Sequence, residues 1–101
     1  MNDSNIITLP LSAAPMDEVR WGLIGLGVRG LSHLETLLEI DGARVTAVCD
    51  NYMPYVERAL SAVEAANHPK PLALGSDGDS DSWRRLLDCD NVDAVIISTA
   101  W

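Results

Sequence analysis

Three glycines and one aspartate make the pattern in this sequence with the clearest chemistry. Gly25-Leu26-Gly27-Val28-Arg29-Gly30 has the form G-x-G-x-x-G, and Asp50 follows about twenty residues after the last glycine. Gly25 would permit a tight turn. Gly27 has no side chain, so a pyrophosphate could approach the backbone there, and Gly30 would let a helix pack close to a sheet. The amides of Leu26, Val28 and Arg29 complete a loop whose N–H groups, with the positive end of a helix dipole, suit phosphate oxygens. Asp50 can accept hydrogen bonds from ribose hydroxyls and would repel a 2′-phosphate, so the expected cofactor is NAD, with NADP disfavoured. Asn51 stands where a basic residue could have accommodated that phosphate.

This loop needs a strand before it and a helix after it. Val19 to Ile24 is a short apolar run with β-branched content, interrupted by Arg20 and stopped by Gly25. Beyond Gly27, apolar residues recur at Val28, Leu31, Leu34, Leu37 and Leu38, steps of three and four that share one helix face. Asp41-Gly42 supplies a turn. Val45 to Cys49 is nearly all apolar, as in a strand buried on both faces, and Asp50 ends it. Pro54 suits a first helical turn, Val56, Ala59, Leu60, Val63 and Ala66 form the next stripe, and Asn67, Pro69 and Pro71 close that helix. Pro71 to Leu74 reads as a short strand, Gly75 to Ser82 as a polar loop, and Trp83 to Asp88 as a short helix capped by Asp81 or Ser82. Val92 to Ser98 is the most strand-like run.

Alternating strands and helices imply a parallel sheet with right-handed crossovers. The fold class is therefore α/β: a Rossmann-like parallel sheet of about four strands in the order 3-2-1-4 with three helices, cut off before a second half. Two helices would cover one face and the short third helix would only half-cover the other. This predicts a fragment, or a chain with a bare apolar face through which a homo-oligomer could form. Residues 1–17 read as an N-terminal extension, loose or strapped down, and residues 18–101 as the partial dinucleotide-binding domain.

The 101 residues include fifteen acidic and seven basic ones, for a formal net charge of −8. That balance argues against nucleic-acid and anionic-membrane partners. No run is long enough to span a bilayer, and Pro10 interrupts the N-terminal apolar stretch, which fits a secretory signal poorly. Cys49 and Cys89 lack metal-ligand spacing and read as reduced thiols of a cytoplasmic protein.

The stretch from Val19 to Asp50, with NVDAVIISTAW at residues 91–101, resembles the nucleotide-binding domain of the Gfo/Idh/MocA oxidoreductases. Arg29-Gly30 with His33, and the closing STAW, look most like the family's NAD-dependent glycosidase branch. The resemblance implies NAD(P) held by Gly25, Gly27, Gly30 and Asp50, hydride transfer with a sugar or polyol, and a second α/β domain that shapes the sugar site. It also implies that Ser98 and Thr99 lie beside the pyrophosphate or the nicotinamide ribose. Ala100 replaces the family's usual proline there. The family's catalytic lysine, in a Glu-Lys-Pro motif, has no counterpart in these residues, so the expectation is cofactor contacts without catalytic residues. Lys70 reads as a solvated loop lysine.

Two other readings stand beside this one. The chain could be a non-catalytic nucleotide-binding or interaction module, a remnant of an enzyme. An S-adenosylmethionine-dependent methyltransferase also uses a glycine-rich first loop and an acid on the second strand, but it binds no pyrophosphate and does not need the full glycine pattern. Asp77, Asp79, Asp81 and Asp88 imitate a calcium loop, with Ser82 where glycine is required and no bidentate glutamate at the end, so capping and loop polarity explain them better. His33 reads as an ordinary helix histidine, Trp83 as a core anchor of its short helix, and Trp101 as a flank of the nicotinamide pocket in a longer protein.

Overall fold

The computed structural model describes residues 6–8, 18–75 and 81–99. Five strands form one sheet: β1 (Ile6–Thr8), β2 (Val19–Ile24), β3 (Ala43–Cys49), β4 (Leu72–Leu74) and β5 (Ala94–Ile97). Their order is β1-β5-β2-β3-β4. β5, β2, β3 and β4 run parallel, which is the expected 3-2-1-4 arrangement. The helices are α1 (Val28–Leu38), α2 (Met53–Ala65) and α3 (Ser82–Leu87). None of the helices among the described residues is long and apolar enough to cross a membrane.

One strand was not expected. β1 pairs antiparallel with β5, Ile6 opposite Ile96 and Thr8 opposite Ala94, so part of the N-terminal extension is strapped to the sheet. Three residues between polar and proline-containing stretches give no periodicity to read.

The α1 and α2 face buries Leu23, Leu34, Leu37, Val45, Val48, Val56, Ala59, Val63 and Ile96 in one cluster. Val28 departs from the expected stripe. It is 82% exposed. Leu34 and Leu37 carry the packing instead.

The other face is covered by α3 over Ile24, Ala47, Cys49, Leu74 and Val95. All five are buried, so the part of this face beneath α3 is not bare, while Leu72 on β4 stays 46% exposed and Leu87 of α3 48% exposed. Two features let so short a helix suffice. Ala47 and Cys49 beneath it are small, and Gly22 leaves room for Leu86, whose Cδ2 lies 2.7 Å from where a Gly22 Cβ would stand. Leu86 is fully buried, whereas Trp83 is 38% exposed with the Arg84 guanidinium over its ring. The expected anchor is thus displaced by one turn. Neither cap forms as expected, because α3 has no side-chain cap bond. The Ser82 hydroxyl instead meets Cys49 Sγ at 3.1 Å inside the core.

At the N-terminal edge, Arg20 and Asp93 join β2 to the approach to β5. The Arg20 Nε and Nη2 donate to the two Asp93 oxygens at 3.0 and 2.9 Å, and the Arg20 N–H adds a third bond at 2.9 Å. These bonds hold the Asp93 carboxyl below the usual aspartate range, the side-chain bond from Arg20 first and its backbone N–H second. Nearby, the sheet register shifts between Trp21 and Gly22, which pair with Val45 and Ala47. Thr46 is therefore the extra residue of a bulge, and its hydroxyl donates to the Asn91 carbonyl at 2.6 Å.

Candidate functional site

The C-terminal ends of the four parallel strands are in register. Ile24 lies opposite both Cys49 and Ile97, and Cys49 lies opposite Leu74. The next residue of each strand therefore reaches the same edge. Three of them are Gly25, Asp50 and Ser98, tied by backbone bonds from Gly25 N–H to Cys49 (2.8 Å), Asp50 N–H to Leu74 (3.1 Å) and Ser98 N–H to Ile24 (2.7 Å). Sequence positions far apart are brought together by strand register alone.

The loop from Gly25 to Gly30 turns tightly off β2 into α1. Gly25 has a φ of 94°, and a Cβ there would lie 2.7 Å from the Ser98 carbonyl. A Cβ at Gly30 would overlap the Gly25 carbonyl oxygen, so loop and helix are in direct backbone contact. Gly27 differs. A Cβ there would meet only the Tyr55 Cε2, at 3.6 Å, so open space lies over this peptide. The first bond of α1 runs from Leu31 N–H to the Gly27 carbonyl at 2.8 Å. The amides ahead of it are those that a helix start leaves without an intrahelical acceptor. Val28 and Arg29 lie exposed in that first turn.

Asp50 is joined to this loop directly. Its Oδ2 accepts the Leu26 N–H at 2.8 Å, and its Oδ1 accepts the Tyr52 N–H at 2.9 Å. The carboxylate thus organises two turns at once. Asn51 is exposed beside it, and Thr99 is exposed beyond Ser98. Asp77, Asp79, Ala100 and Trp101 lie outside the described residues. Lys70 is exposed, away from this edge, in the segment between α2 and β4.

No family model matches the chain. It is 42% identical over 91 residues to glycosyl hydrolase family 109 proteins of Shewanella sp. (strain W3-18-1) and of Shewanella putrefaciens. The aligned part is 90% of this chain and 19% of each relative, so the chain spans about a fifth of their length. A solved structure, myo-inositol dehydrogenase from Lactobacillus casei in complex with NAD(H) and myo-inositol, superimposes with a TM-score of 0.62 at 28% identity. The match covers 81% of this chain and 22% of that one. The chain has the Rossmann-type α/β fold of that dehydrogenase, and its similarity to the family 109 proteins and to the dehydrogenase supports a nucleotide-binding domain of the Gfo/Idh/MocA type.

Several residues that flank the glycine loop make contacts there that the sequence alone did not give. Arg58 on α2 donates from Nη2 to the Leu26 carbonyl at 3.1 Å. His33, read as an ordinary surface or satisfied histidine, is satisfied: its Nδ1 lies 3.1 Å from the Ser98 hydroxyl. Tyr52 and Tyr55 pack edge to face at 4.7 Å beside the Asp50 turn. The spacing of Arg58 on its helix placed it on a polar face, which is the only signal it gave, and its partner lies 32 positions away.

Proposed function

We propose that this domain is the dinucleotide-binding part of an NAD-dependent enzyme acting on a sugar or polyol, an oxidoreductase or a glycosidase related to family 109. The observation that carries this reading is the meeting of an open, side-chain-free loop with a carboxylate at one sheet edge, Leu26 N–H to Asp50. In this reading Gly25, Leu26, Gly27, Val28, Arg29 and Gly30 line the diphosphate, and Asp50 and Asn51 the adenosine ribose. Ser98 and Thr99 lie toward the nicotinamide half. Residues 18–101 form the domain and residues 1–17 its extension.

The residues fit the group. The space above Gly27 is open, and each Asp50 oxygen accepts one protein N–H, leaving lone-pair capacity for a ribose hydroxyl. The same negative charge disfavours a 2′-phosphate, so NAD is preferred to NADP. When bound, NAD supplies the hydride acceptor, and the residues here bind and orient it. The inositol-bound dehydrogenase and the glycosyl hydrolase relatives support a sugar-like substrate, contacted by parts beyond this domain. A cytoplasmic setting, where cysteines such as Cys49 and Cys89 stay reduced, belongs to the same reading.

Isothermal titration with NAD, NADP and S-adenosylmethionine tests the proposal. The expected order is NAD over NADP, with no heat from S-adenosylmethionine. Binding of S-adenosylmethionine alone would make the chain a methyltransferase fold, and binding of none would make it a non-nucleotide module. A turnover assay on these 101 residues should be blank.

A further inference from the structure

Leu26 is fixed at every group it has. Its side chain is fully buried, its N–H donates to Asp50 Oδ2 at 2.8 Å, and its carbonyl accepts from Arg58 Nη2 at 3.1 Å. The two bonds grip two successive peptides. The N–H belongs to the Gly25–Leu26 unit and the carbonyl to the Leu26–Gly27 unit. They come from different elements, the end of β3 and the exposed side of α2. Arg58 is itself steadied, with its guanidinium 4.9 Å from the centre of the Tyr55 ring. An atom of that same ring, Tyr55 Cε2, lies 3.6 Å from where a Gly27 Cβ would stand.

We infer that Arg58 is a positioning residue of the diphosphate cradle, holding the Leu26–Gly27 peptide so that the amides opening α1 are aimed before any ligand arrives. The peptide unit is planar and trans, so its carbonyl and its N–H point in opposite directions. A guanidinium that fixes the Leu26 carbonyl on the α2 side turns the Gly27 N–H the other way. It also sets the direction in which Val28, Arg29 and Gly30 follow. Arg58 needs no contact with the ligand for this. It reduces the ordering that binding would otherwise have to impose. This inference rests on the dinucleotide reading for its consequence, but not for the clamp itself.

The test uses Arg58→Met and Arg58→Lys in the whole 101-residue chain. Arg58 is exposed, so both variants should fold. In the free protein, the Gly27 amide signal in a nitrogen–proton spectrum should shift and broaden in Arg58→Met, while that of Gly42, outside the loop, stays in place. In titrations, ADP affinity should fall about threefold to tenfold, the effect of one lost hydrogen bond. Adenosine, which has no phosphate, should lose less than about twofold on the same scale. Arg58→Lys keeps the charge but not the planar fork, and should recover part of the ADP affinity. An unmoved Gly27 signal would overturn the clamp. So would equal losses for ADP and adenosine, or a loss that vanishes at about 0.5 M salt, where screening removes a merely remote charge. If the unaltered chain binds neither ADP nor NAD, the proposed function fails, and the Gly27 signal still decides the clamp.

Discussion

The three glycines of the loop have different physical reasons, and substitution separates them. Gly30→Ala forces a methyl group into the Gly25 carbonyl, and such overpacking costs about 1–3 kcal/mol. It should lower the melting temperature and weaken dinucleotide binding together. Gly27→Ala places its methyl in open space with the Tyr55 ring at an ordinary 3.6 Å, so the melting temperature should barely move while NAD binding falls at least tenfold. Thermal melts and NAD titration of both variants check this. Equal effects on stability and binding in the two would remove the distinction. Asp50 has a double role that a motif cannot show. Its distance from the glycines points to the proposed ribose contact, whereas the bonds to Leu26 and Tyr52 depend on how the turn after β3 folds back. Asp50→Ala leaves both N–H groups without an acceptor, at about 1–3 kcal/mol each where water cannot replace it. It should therefore lose stability as well as NAD affinity. A variant as stable as the parent would show that the carboxylate serves the ligand alone.

At the scale of elements, the two edges of the sheet do different work. The C-terminal edge carries the open loop, and the N-terminal edge is closed by the Arg20–Asp93 clasp. Asp93 titrates lower folded than unfolded, so the unfolded chain binds the extra proton as acid is added. The clasp's stabilisation is present in full above about pH 4, the ordinary aspartate range, and is lost as pH falls through the depressed folded value. Asp93→Asn should flatten that part of the melting temperature against pH curve. An unchanged acid slope would show that other carboxylates set it. The elements themselves were largely legible. Apolar runs such as Val45 to Cys49 announce strands buried on both faces, and the steps of three and four in α1 and α2 announce their packing stripes. What was not legible depends on distant partners. Arg20 looked like an interruption until Asp93, 73 positions on, met it. Ser82 looked like a cap until Cys49 met it across the core. Trp83 looked like an anchor because size suggests burial, but helix phase placed Leu86 over Gly22.

At the scale of the whole sheet, the remaining question is how the edges formed by the described residues are protected. A parallel sheet needs cover on both faces and protection at its edges. The faces are satisfied by α1 and α2 on one side and α3 on the other. β4 ends one edge with three residues, short enough to be a poor template. The other edge would be β5, whose AVII run is apolar and β-branched, the composition most prone to pair with another chain when left open. β1 occupies that edge, antiparallel, over Ile96, Val95 and Ala94. A chain beginning at residue 9 should therefore melt at lower temperature and associate as its concentration rises, which sedimentation at several concentrations would detect. Its Gly25–Gly30 loop and Asp50 hang from β2 and β3, so NAD binding in dilute solution should persist. If that shortened chain stays monomeric and equally stable, β5 is protected by other means and β1 is only an accessory strand. If it loses NAD binding while remaining folded, the strap also sets the Ser98 end of β5, and the edge and the site are one unit.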